Sequence, residues 1–128
     1  MAERKSRILI VDDASLVRLY YRQILEAVGF EVEEALNGLE ALERLLINPP
    51  DMLIVDVNMT QMDGVTFLCT LRRQPLPLSS IPALVISTEA GTQDIAAARA
   101  AGANFYLVKP LSRDVLAQYA AMFCGLPA

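Results

Sequence analysis

Five short apolar runs rich in β-branched residues alternate with longer stretches of helical periodicity along the chain. The runs cover residues 8–11, 30–35, 52–55, 83–86 and 105–108. This alternation is typical of a parallel β-sheet that is covered by helices. Four of the runs are apolar throughout and predict strands buried on both faces. The second run alternates Phe30 and Val32 with glutamates, which predicts an edge strand.

The order of the strands follows from short right-handed crossovers and from the edge position of the second strand. Together these conditions favour the order 2-1-3-4-5. The predicted fold is therefore α/β, a three-layer doubly wound (βα)5 sandwich of the flavodoxin-like kind with a parallel five-stranded sheet. The length of 128 residues fits a single domain spanning residues 1–128, with its core at about 7–124.

Local signals define the helices between these runs. Asn37, with Glu40 three residues later, predicts a capped start of the second helix. Asp63 and Ser112 are the predicted caps of the third and fifth helices. The inward-facing residues predicted for the first helix are Leu16, Val17, Tyr20, Tyr21, Ile24, Leu25 and Val28, with Arg18 on the opposite side. The fourth helix is rich in alanine and is predicted to be weakly anchored.

Composition excludes several classes of protein. The net charge of −4 and the pI near 4.7 argue against direct nucleic-acid binding. No apolar run is long enough to cross a membrane, so we expect a cytoplasmic protein with no membrane association. Cys69 and Cys124 lack metal-site spacing and are predicted to be buried thiols. Histidine is absent, which excludes a Ser-His-Asp triad, a His-ligated metal and self-phosphorylation on imidazole.

Polar residues with reactive side chains follow four of the predicted strands, at the point where each strand ends. They are Asp12 and Asp13, Asp56, Ser87 and Lys109. In a doubly wound sheet the carboxyl ends of the strands are the edge where ligands bind. The first and third strands flank the switch point of the order 2-1-3-4-5, so we expect the three aspartates to lie close together.

Three carboxylates at close range predict a cation site. Each close pair repels by about 1 to 4 kcal/mol at effective dielectric constants of 80 to 20. Oxygen ligands without histidine or cysteine favour Mg²⁺. Such an ion, with the ammonium of Lys109 and the hydroxyl of Ser87, would neutralise phosphoryl oxygens while Asp56 attacks phosphorus. The pattern therefore predicts a phosphoryl-transfer site.

Simpler structural roles explain each of these residues singly but not together. An aspartate after a strand is most often a cap or turn residue, a lysine before proline is usually a solvated charge, and a serine is usually a turn residue. Capping does not account for an acid pair, a third acid, a hydroxyl and a lysine at one edge of a sheet. The joint occurrence favours a functional site.

The same residues carry a resemblance to a known family. The matching segments are 10–15 (IVDDAS), 54–59 (IVDVNM) with 62–64 (MDG), 85–90 (VISTEA), 101–103 (AGA) and 106–110 (YLVKP). In this order they resemble the receiver domains of two-component response regulators, and within that family the stand-alone chemotaxis (CheY-like) type. The resemblance extends from about Arg7 to Phe123.

The resemblance implies roles for the acidic residues. Asp56 would be the phosphoacceptor, and Lys109 would pair with its carboxylate or with the phosphoryl group. Asp13 would bind Mg²⁺ directly and Asp12 largely through water. The backbone carbonyl of Asn58 would complete the protein ligands of the metal ion.

The resemblance also implies a switch. Ser87, in place of the commoner threonine, would bond a phosphoryl oxygen and move toward the site, and Tyr106 would turn inward behind it. The Lys109–Pro110 peptide bond is expected to be cis, against a base rate of about 5% for X-Pro bonds. Asn58 lies two residues beyond the phosphoacceptor, and Glu89 lies two residues beyond the switch hydroxyl. The resemblance implies that these two residues set the lifetime of the acyl phosphate.

The partners implied by the resemblance are proteins. A histidine kinase or a histidine phosphotransfer protein would donate the phosphoryl group, and a downstream protein target would read the face formed by the fourth helix, fifth strand and fifth helix. The chain would be a monomer or a weak phosphorylation-dependent dimer. It would be a signalling switch rather than an enzyme, with only self-phosphotransfer and slow autodephosphorylation.

Three alternatives remain at this point. The chain could be a receiver excised from a larger kinase or transcription factor. A haloacid-dehalogenase-like phosphatase also uses a strand-end aspartate and Mg²⁺, but Asn58 stands where its general acid would be needed. A flavin-binding module of similar topology would place phosphate beside Asp12 and Asp13, which would repel it.

Overall fold

A computed structural model describes residues 6–57, 59 and 62–124. Its strands are β1 (Arg7–Val11), β2 (Glu31–Ala35), β3 (Met52–Val55), β4 (Ala83–Ser87) and β5 (Phe105–Val108). Its helices are α1 (Ser15–Ala27), α2 (Gly38–Ile47), α3 (Gly64–Arg72), α4 (Thr92–Ala101) and α5 (Arg113–Cys124), with a 3-10 turn at Leu78–Ser80. The strands form one parallel sheet in the order β2-β1-β3-β4-β5. The predicted fold class and strand order are confirmed.

Alternate side chains of the central strands supply two separate cores. Leu9 and Val11 of β1 belong to the core beneath α2, α3 and α4, whereas Ile8 and Ile10 belong to the core beneath α1 and α5. All four are at most 2% exposed. Because successive side chains of a strand point to opposite faces, an unbroken apolar run is required where both faces are covered.

Side-chain caps begin the second, third and fifth helices as the sequence predicts. The Asn37 side chain accepts from the backbone N–H of Glu40 at 2.9 Å, and the Asp63 carboxylate accepts from that of Thr66 at 2.8 Å. The Ser112 hydroxyl accepts from the N–H of Val115 at 3.2 Å. Each bond satisfies a backbone donor that the first turn of a helix leaves unpaired.

Two expectations about burial are wrong. β5 is apolar throughout, yet Phe105 and Val108 are 39% and 40% exposed, because β5 is the second edge of the sheet. The Phe105 ring packs instead against the rings of Tyr119 and Phe123, with centroids 5.3 and 5.4 Å away. In α1, Leu16 is 79% exposed although it falls on the predicted inner stripe.

The remaining predictions about helix burial are partly wrong as well. Tyr20 and Val28 of α1 are 44% and 40% exposed, whereas Tyr21 is buried. Cys69 and Cys124 are free thiols that are only half-buried.

Helix α4 is held mainly at its C-terminal end. Ala98 and Ala101 are its buried residues, and Gly102 ends the helix with φ of +116°. The Arg72 guanidinium donates to the Gly102 carbonyl through Nη2 at 2.7 Å and Nε at 3.1 Å. A Cβ at Gly102 would lie 2.5 Å from Cγ of Arg72. The first turn, after Gly91, has no side-chain cap among the described residues.

Within the described part of the chain, every helix is too short or too polar to cross a membrane.

Candidate phosphoryl-transfer site

The three aspartates meet at the carboxyl edge of the sheet. Asp12 follows β1 and Asp56 follows the neighbouring strand β3, and the backbone N–H of Asp56 donates to the carbonyl of Val11 at 2.9 Å. One carboxylate oxygen from each of Asp12, Asp13 and Asp56 lies within 4.8 Å of the others. Parallel pairing of adjacent strands produces this arrangement, since equivalent residues of β1 and β3 end side by side.

Burial differs across the acidic cluster. Asp12 is 2% exposed and Asp56 is 8% exposed, whereas Asp13 is open to solvent. The Asp12 carboxylate also accepts from the backbone N–H of Ala14 at 2.9 Å, which closes a turn and directs the side chain into the cluster. The cluster is thus a pocket with Asp13 at its open side.

Lys109 supplies the positive charge beside these acids. Its Nζ lies 3.5 Å from Oδ2 of Asp12 and 3.8 Å from Oδ1 of Asp56. Its backbone N–H donates to the carbonyl of Ser87 at 2.7 Å, so β4 holds the start of the β5–α5 loop in place. The Lys109–Pro110 peptide bond is cis, and so is Leu76–Pro77, which the sequence did not suggest.

A glycine allows the loop after β3 to fold tightly beside Asp56. The backbone N–H of Gly64 donates to the Val57 carbonyl at 3.0 Å. A Cβ at Gly64 would lie 2.5 Å from the carbonyl oxygen of Asp56, closer than such atoms can approach. Only glycine therefore lets α3 begin against the Asp56 backbone. Asn58, whose carbonyl was predicted to bind the metal ion, lies outside the described residues.

Ser87 and Tyr106 lie on the neighbouring strands β4 and β5. Ser87 is fully buried, and its hydroxyl accepts from the backbone N–H of Glu89 at 3.1 Å. The Tyr106 hydroxyl donates to the carbonyl of Glu89 at 2.7 Å, and Tyr106 packs against the core beneath α2, α3 and α4. The structure thus brings all three predicted residues together at the β4–α4 loop.

The sequence reading missed two residues that lie close to the acids. Arg18 was placed on the outer side of α1, but its Nη1 donates to the carbonyl of Asp12 at 2.7 Å and its Nε to Oε1 of Glu34 at 2.8 Å. The sequence contained a signal for this contact: β2 carries glutamates near its end, and Arg18 lies one turn into α1, the helix that precedes β2. Tyr21 is buried, and burial together with the charges of Asp12 and Asp56 raises its pKa, so it remains a neutral phenol.

An apolar groove opens beside Lys109. It has a volume of about 510 Å³ and runs between the start of α1 and the β5–α5 loop. Its lining residues are Leu16, Val17, Tyr20, Tyr21, Thr88, Lys109, Pro110 and Leu111. The exposed Leu16 side chain forms one wall of this groove.

The acidic cluster has the chemistry of a site for a hard divalent cation. At metal–oxygen distances of about 2.1 Å, ligands of octahedral Mg²⁺ lie roughly 3 to 4.2 Å apart. The three carboxylate oxygens, within 4.8 Å of one another, nearly meet this requirement without rearrangement. Since the cluster offers only oxygen atoms, it fits Mg²⁺ better than Zn²⁺.

Comparison with known proteins decides the family. Residues 8–121 match the response regulator receiver domain family. This chain belongs to that family. The receiver domain is 39% identical over 115 residues to the transcriptional regulatory protein PrrA of Mycobacterium tuberculosis, an alignment that covers 90% of this chain and 47% of PrrA. The chain thus spans about half the length of that relative.

Solved structures agree with this assignment. The receiver domain superposes on the Vibrio cholerae chemotaxis protein CheY4 with a TM-score of 0.87 and 31% identity, covering 94% of this chain and 99% of that one. It also superposes on the signal receiver domain of a signal transduction histidine kinase from Syntrophus aciditrophicus, with a TM-score of 0.87 and 32% identity, covering 93% and 89% of the two chains. The chain is therefore a signalling domain of the two-component kind.

Proposed function

We propose that this receiver domain accepts a phosphoryl group on Asp56 and changes its surface in response. The observation that carries the proposal is the convergence of three carboxylates and the Lys109 ammonium at one edge of the sheet. Structural acids are usually dispersed, because close carboxylates repel. A cluster that places a lysine between two of its acids is suited to bind a phosphoryl group with a divalent cation.

The positions of the side chains support one transfer step. A carboxylate oxygen of Asp56 attacks the phosphorus of a donor phosphoimidazole, an acyl phosphate forms, and the P–N bond breaks with its electron pair leaving on the imidazole nitrogen. That nitrogen takes its proton from solvent. The Lys109 ammonium lies 3.8 Å from Asp56. It neutralises charge on the phosphoryl oxygens while the phosphoryl group moves onto Asp56.

Mg²⁺ held by Asp12, Asp13, Asp56 and the Asn58 carbonyl would supply further positive charge to the same oxygens. Asp13 would bind the ion directly and Asp12 largely through water; the exposure of Asp13 supports its role as a direct ligand. We infer Mg²⁺ as the natural cofactor from the purely oxygen ligand set.

A donor phosphohistidine must belong to a partner, since the chain contains no histidine. We propose a histidine kinase or a histidine phosphotransfer protein that docks on the groove between Leu16 and Leu111. This groove is apolar and ends at Lys109, so a partner seated there would present an imidazole directly to the acidic cluster.

The output surface is the face formed by α4, β5 and α5. Ser87 and Tyr106 both bond to Glu89, which lies three residues before α4. When the Ser87 hydroxyl turns to the phosphoryl group, the bond to Glu89 is lost and Tyr106 is free to reposition. A downstream protein, or a second copy in a weak dimer, would read that change. Glu89 and Asn58 would adjust the lifetime of the acyl phosphate.

We also propose that the receiver unit occupies about residues 7–124 of a single domain spanning 1–128. Its activity is confined to self-phosphotransfer and slow autodephosphorylation. A second candidate, a receiver within a larger kinase or transcription factor, is favoured by the half-length match to PrrA and by the match to a receiver domain of a histidine kinase.

Phosphorylation with a small acyl phosphate and Mg²⁺ tests the chemistry directly. Intact mass spectrometry is expected to show one added phosphoryl group on the wild-type chain and none on Asp56→Asn. Asp63→Asn is the matched control, because Asp63 lies after the same strand but serves as a helix cap, a role that asparagine also fulfils. A phosphoryl group that persists in Asp56→Asn would refute the proposed acceptor.

A further inference from the structure

Arg18 makes a contact that links the acid pair to the edge of the sheet. Its Nη1 donates to the backbone carbonyl of Asp12 at 2.7 Å, and its Nε donates to Oε1 of Glu34 at 2.8 Å. The Arg18 side chain is 11% exposed, so both bonds lie largely away from water. The short distances and the charged donor place these among the stronger hydrogen bonds of proteins.

Glu34 is itself held in place. Arg22 donates to its second carboxylate oxygen, to the carbonyl of Val32 at 3.2 Å and to Glu26 at 3.2 Å. These bonds lower the pKa of Glu34 against the effect of burial, so Glu34 stays ionised. Arg18 thus joins the Asp12 carbonyl to an anchored carboxylate on β2.

The peptide groups on either side of Asp12 are both hydrogen-bonded. The N–H of Asp12, which belongs to the peptide after Val11, donates to the carbonyl of Ala35 at 3.1 Å. The carbonyl of Asp12, which belongs to the peptide between Asp12 and Asp13, accepts from Arg18. The orientation of that peptide plane determines where the Asp13 carboxylate points. Asp13 is exposed and would otherwise swing away from Asp12 and Asp56, because like charges repel.

We propose that Arg18 is a positioning residue for the metal ligands: by holding the Asp12 carbonyl to Glu34, it keeps the Asp13 carboxylate aimed at the cation site. This inference rests on the proposed metal site. Residues that orient metal ligands typically contribute about 10- to 100-fold to metal affinity.

The sign of the effect separates positioning from simple electrostatics. A guanidinium near a cation site repels the cation, so charge alone predicts that Arg18→Met strengthens Mg²⁺ binding. Loss of positioning predicts weaker binding. Arg18→Lys keeps the charge but lacks the planar guanidinium that bonds to the Asp12 carbonyl and to Glu34 at once. Positioning therefore predicts an Mg²⁺ affinity between those of the wild type and Arg18→Met.

Isothermal titration of the folded protein with Mg²⁺ is the test. We expect the Kd of Arg18→Met to rise about tenfold and that of Arg18→Lys to rise less. Arg44→Met is the matched control. Arg44 lies on α2 and pairs with Glu33, the neighbour of Glu34 on β2, at 3.6 Å. The Kd of Arg44→Met for Mg²⁺ is expected to equal that of the wild type. An unchanged or lower Kd in Arg18→Met would overturn the inference.

Two further measurements keep the outcomes distinct. In NMR spectra without metal, the Asp13 amide should shift in Arg18→Met, because the bond to the Asp12 carbonyl polarises that peptide. If Arg18→Met does not fold, Arg18→Lys carries the test: it keeps the charge, so a raised Kd reports positioning alone, and a wild-type Kd there would overturn the inference. A wild-type chain that binds no Mg²⁺ would instead refute the proposed metal site.

Discussion

Ser87 and Tyr106 hold opposite sides of one residue, Glu89. The Ser87 hydroxyl accepts from the Glu89 N–H at 3.1 Å, and the Tyr106 hydroxyl donates to the Glu89 carbonyl at 2.7 Å. The Ser87 hydroxyl and the Tyr106 ring are therefore linked through the backbone of a single residue in the β4–α4 loop. The proposed switch would use this connection to reach α4.

Tyr106→Phe should loosen the β4–α4 loop without changing phosphorylation. A hydrogen bond of this kind contributes about 1 kcal/mol, so the Glu89 amide should exchange with deuterium roughly fivefold faster. Labelling by a small acyl phosphate should proceed at the wild-type rate, since Tyr106 contacts the loop rather than the acids. Tyr119→Phe, on α5, is the control and should leave the Glu89 exchange rate unchanged. Equal exchange rates in all three proteins would contradict the connection.

The sequence predicted the sheet and the cluster well because both depend on short-range patterns. Apolar runs identify the strands, and Asp12, Asp56 and Lys109 immediately follow such runs. Parallel pairing then brings them together without further information. The helix caps at Asn37 and Asp63 are also local, since each bonds a donor three residues away.

Contacts between distant segments could not be read in the same way. Arg18 looks like an outer residue of α1 until Glu34 of β2 is placed beside it. Leu16 falls on the helical stripe, but it is 79% exposed and lines the groove rather than the core. Phe105 is exposed because β5 has a neighbour on one side only, a fact of topology and not of composition.

Asp13→Asn should stabilise the metal-free protein. It removes one of three close carboxylates, each pair of which repels by about 1 kcal/mol or more, so the free energy of unfolding should rise by about 1 kcal/mol. The wild type should gain about 2.7 kcal/mol at a Mg²⁺ concentration of 100 Kd, and the variant much less. Urea denaturation with and without Mg²⁺ measures both effects.

Asp114→Asn is the control for removal of an exposed carboxylate. Asp114 lies in the first turn of α5, where a negative charge interacts favourably with the helix dipole. Loss of this charge should lower the free energy of unfolding by roughly a few tenths of a kcal/mol. A decrease in stability for Asp13→Asn as well would show that the three acids do not repel one another appreciably.

Leu16→Ser should impair transfer from a protein donor but not from a small acyl phosphate. Leu16 is 79% exposed, so the substitution should change stability by less than about 0.5 kcal/mol, yet it removes one apolar wall of the groove beside Lys109. Loss of one well-buried leucine contact at an interface should slow transfer about tenfold. Leu46→Ser, at 71% exposure on α2, is the matched control. Equal transfer by both variants would place the donor elsewhere.

Arg72→Met should unfold the protein more easily. Arg72 donates to the carbonyls of Gly102, Ser79 and Ile81, and burial lowers its pKa without displacing its proton in any ordinary buffer. Unsatisfied carbonyls cost about 1 to 3 kcal/mol each where water cannot replace the donor, so we expect a loss of about 2 to 3 kcal/mol in urea denaturation. Arg73→Met alters the exposed neighbour and should change stability by less than about 0.5 kcal/mol.

Cys124 should be alkylated more slowly in the folded protein than in the unfolded chain. Burial, and secondarily the charge of Asp51, raises its pKa from 9.0 to about 11. The thiolate is the reactive form, so alkylation at pH 8 should be about a hundredfold slower than in the urea-unfolded chain. The folded state keeps a proton that the unfolded chain releases, so this residue's contribution to stability is complete below pH 9 and declines as pH rises toward 11.

Asp51→Asn retains an acceptor for the Arg7 N–H but removes the charge, and should speed alkylation of Cys124. Equal rates in the folded and unfolded chains would contradict the raised pKa.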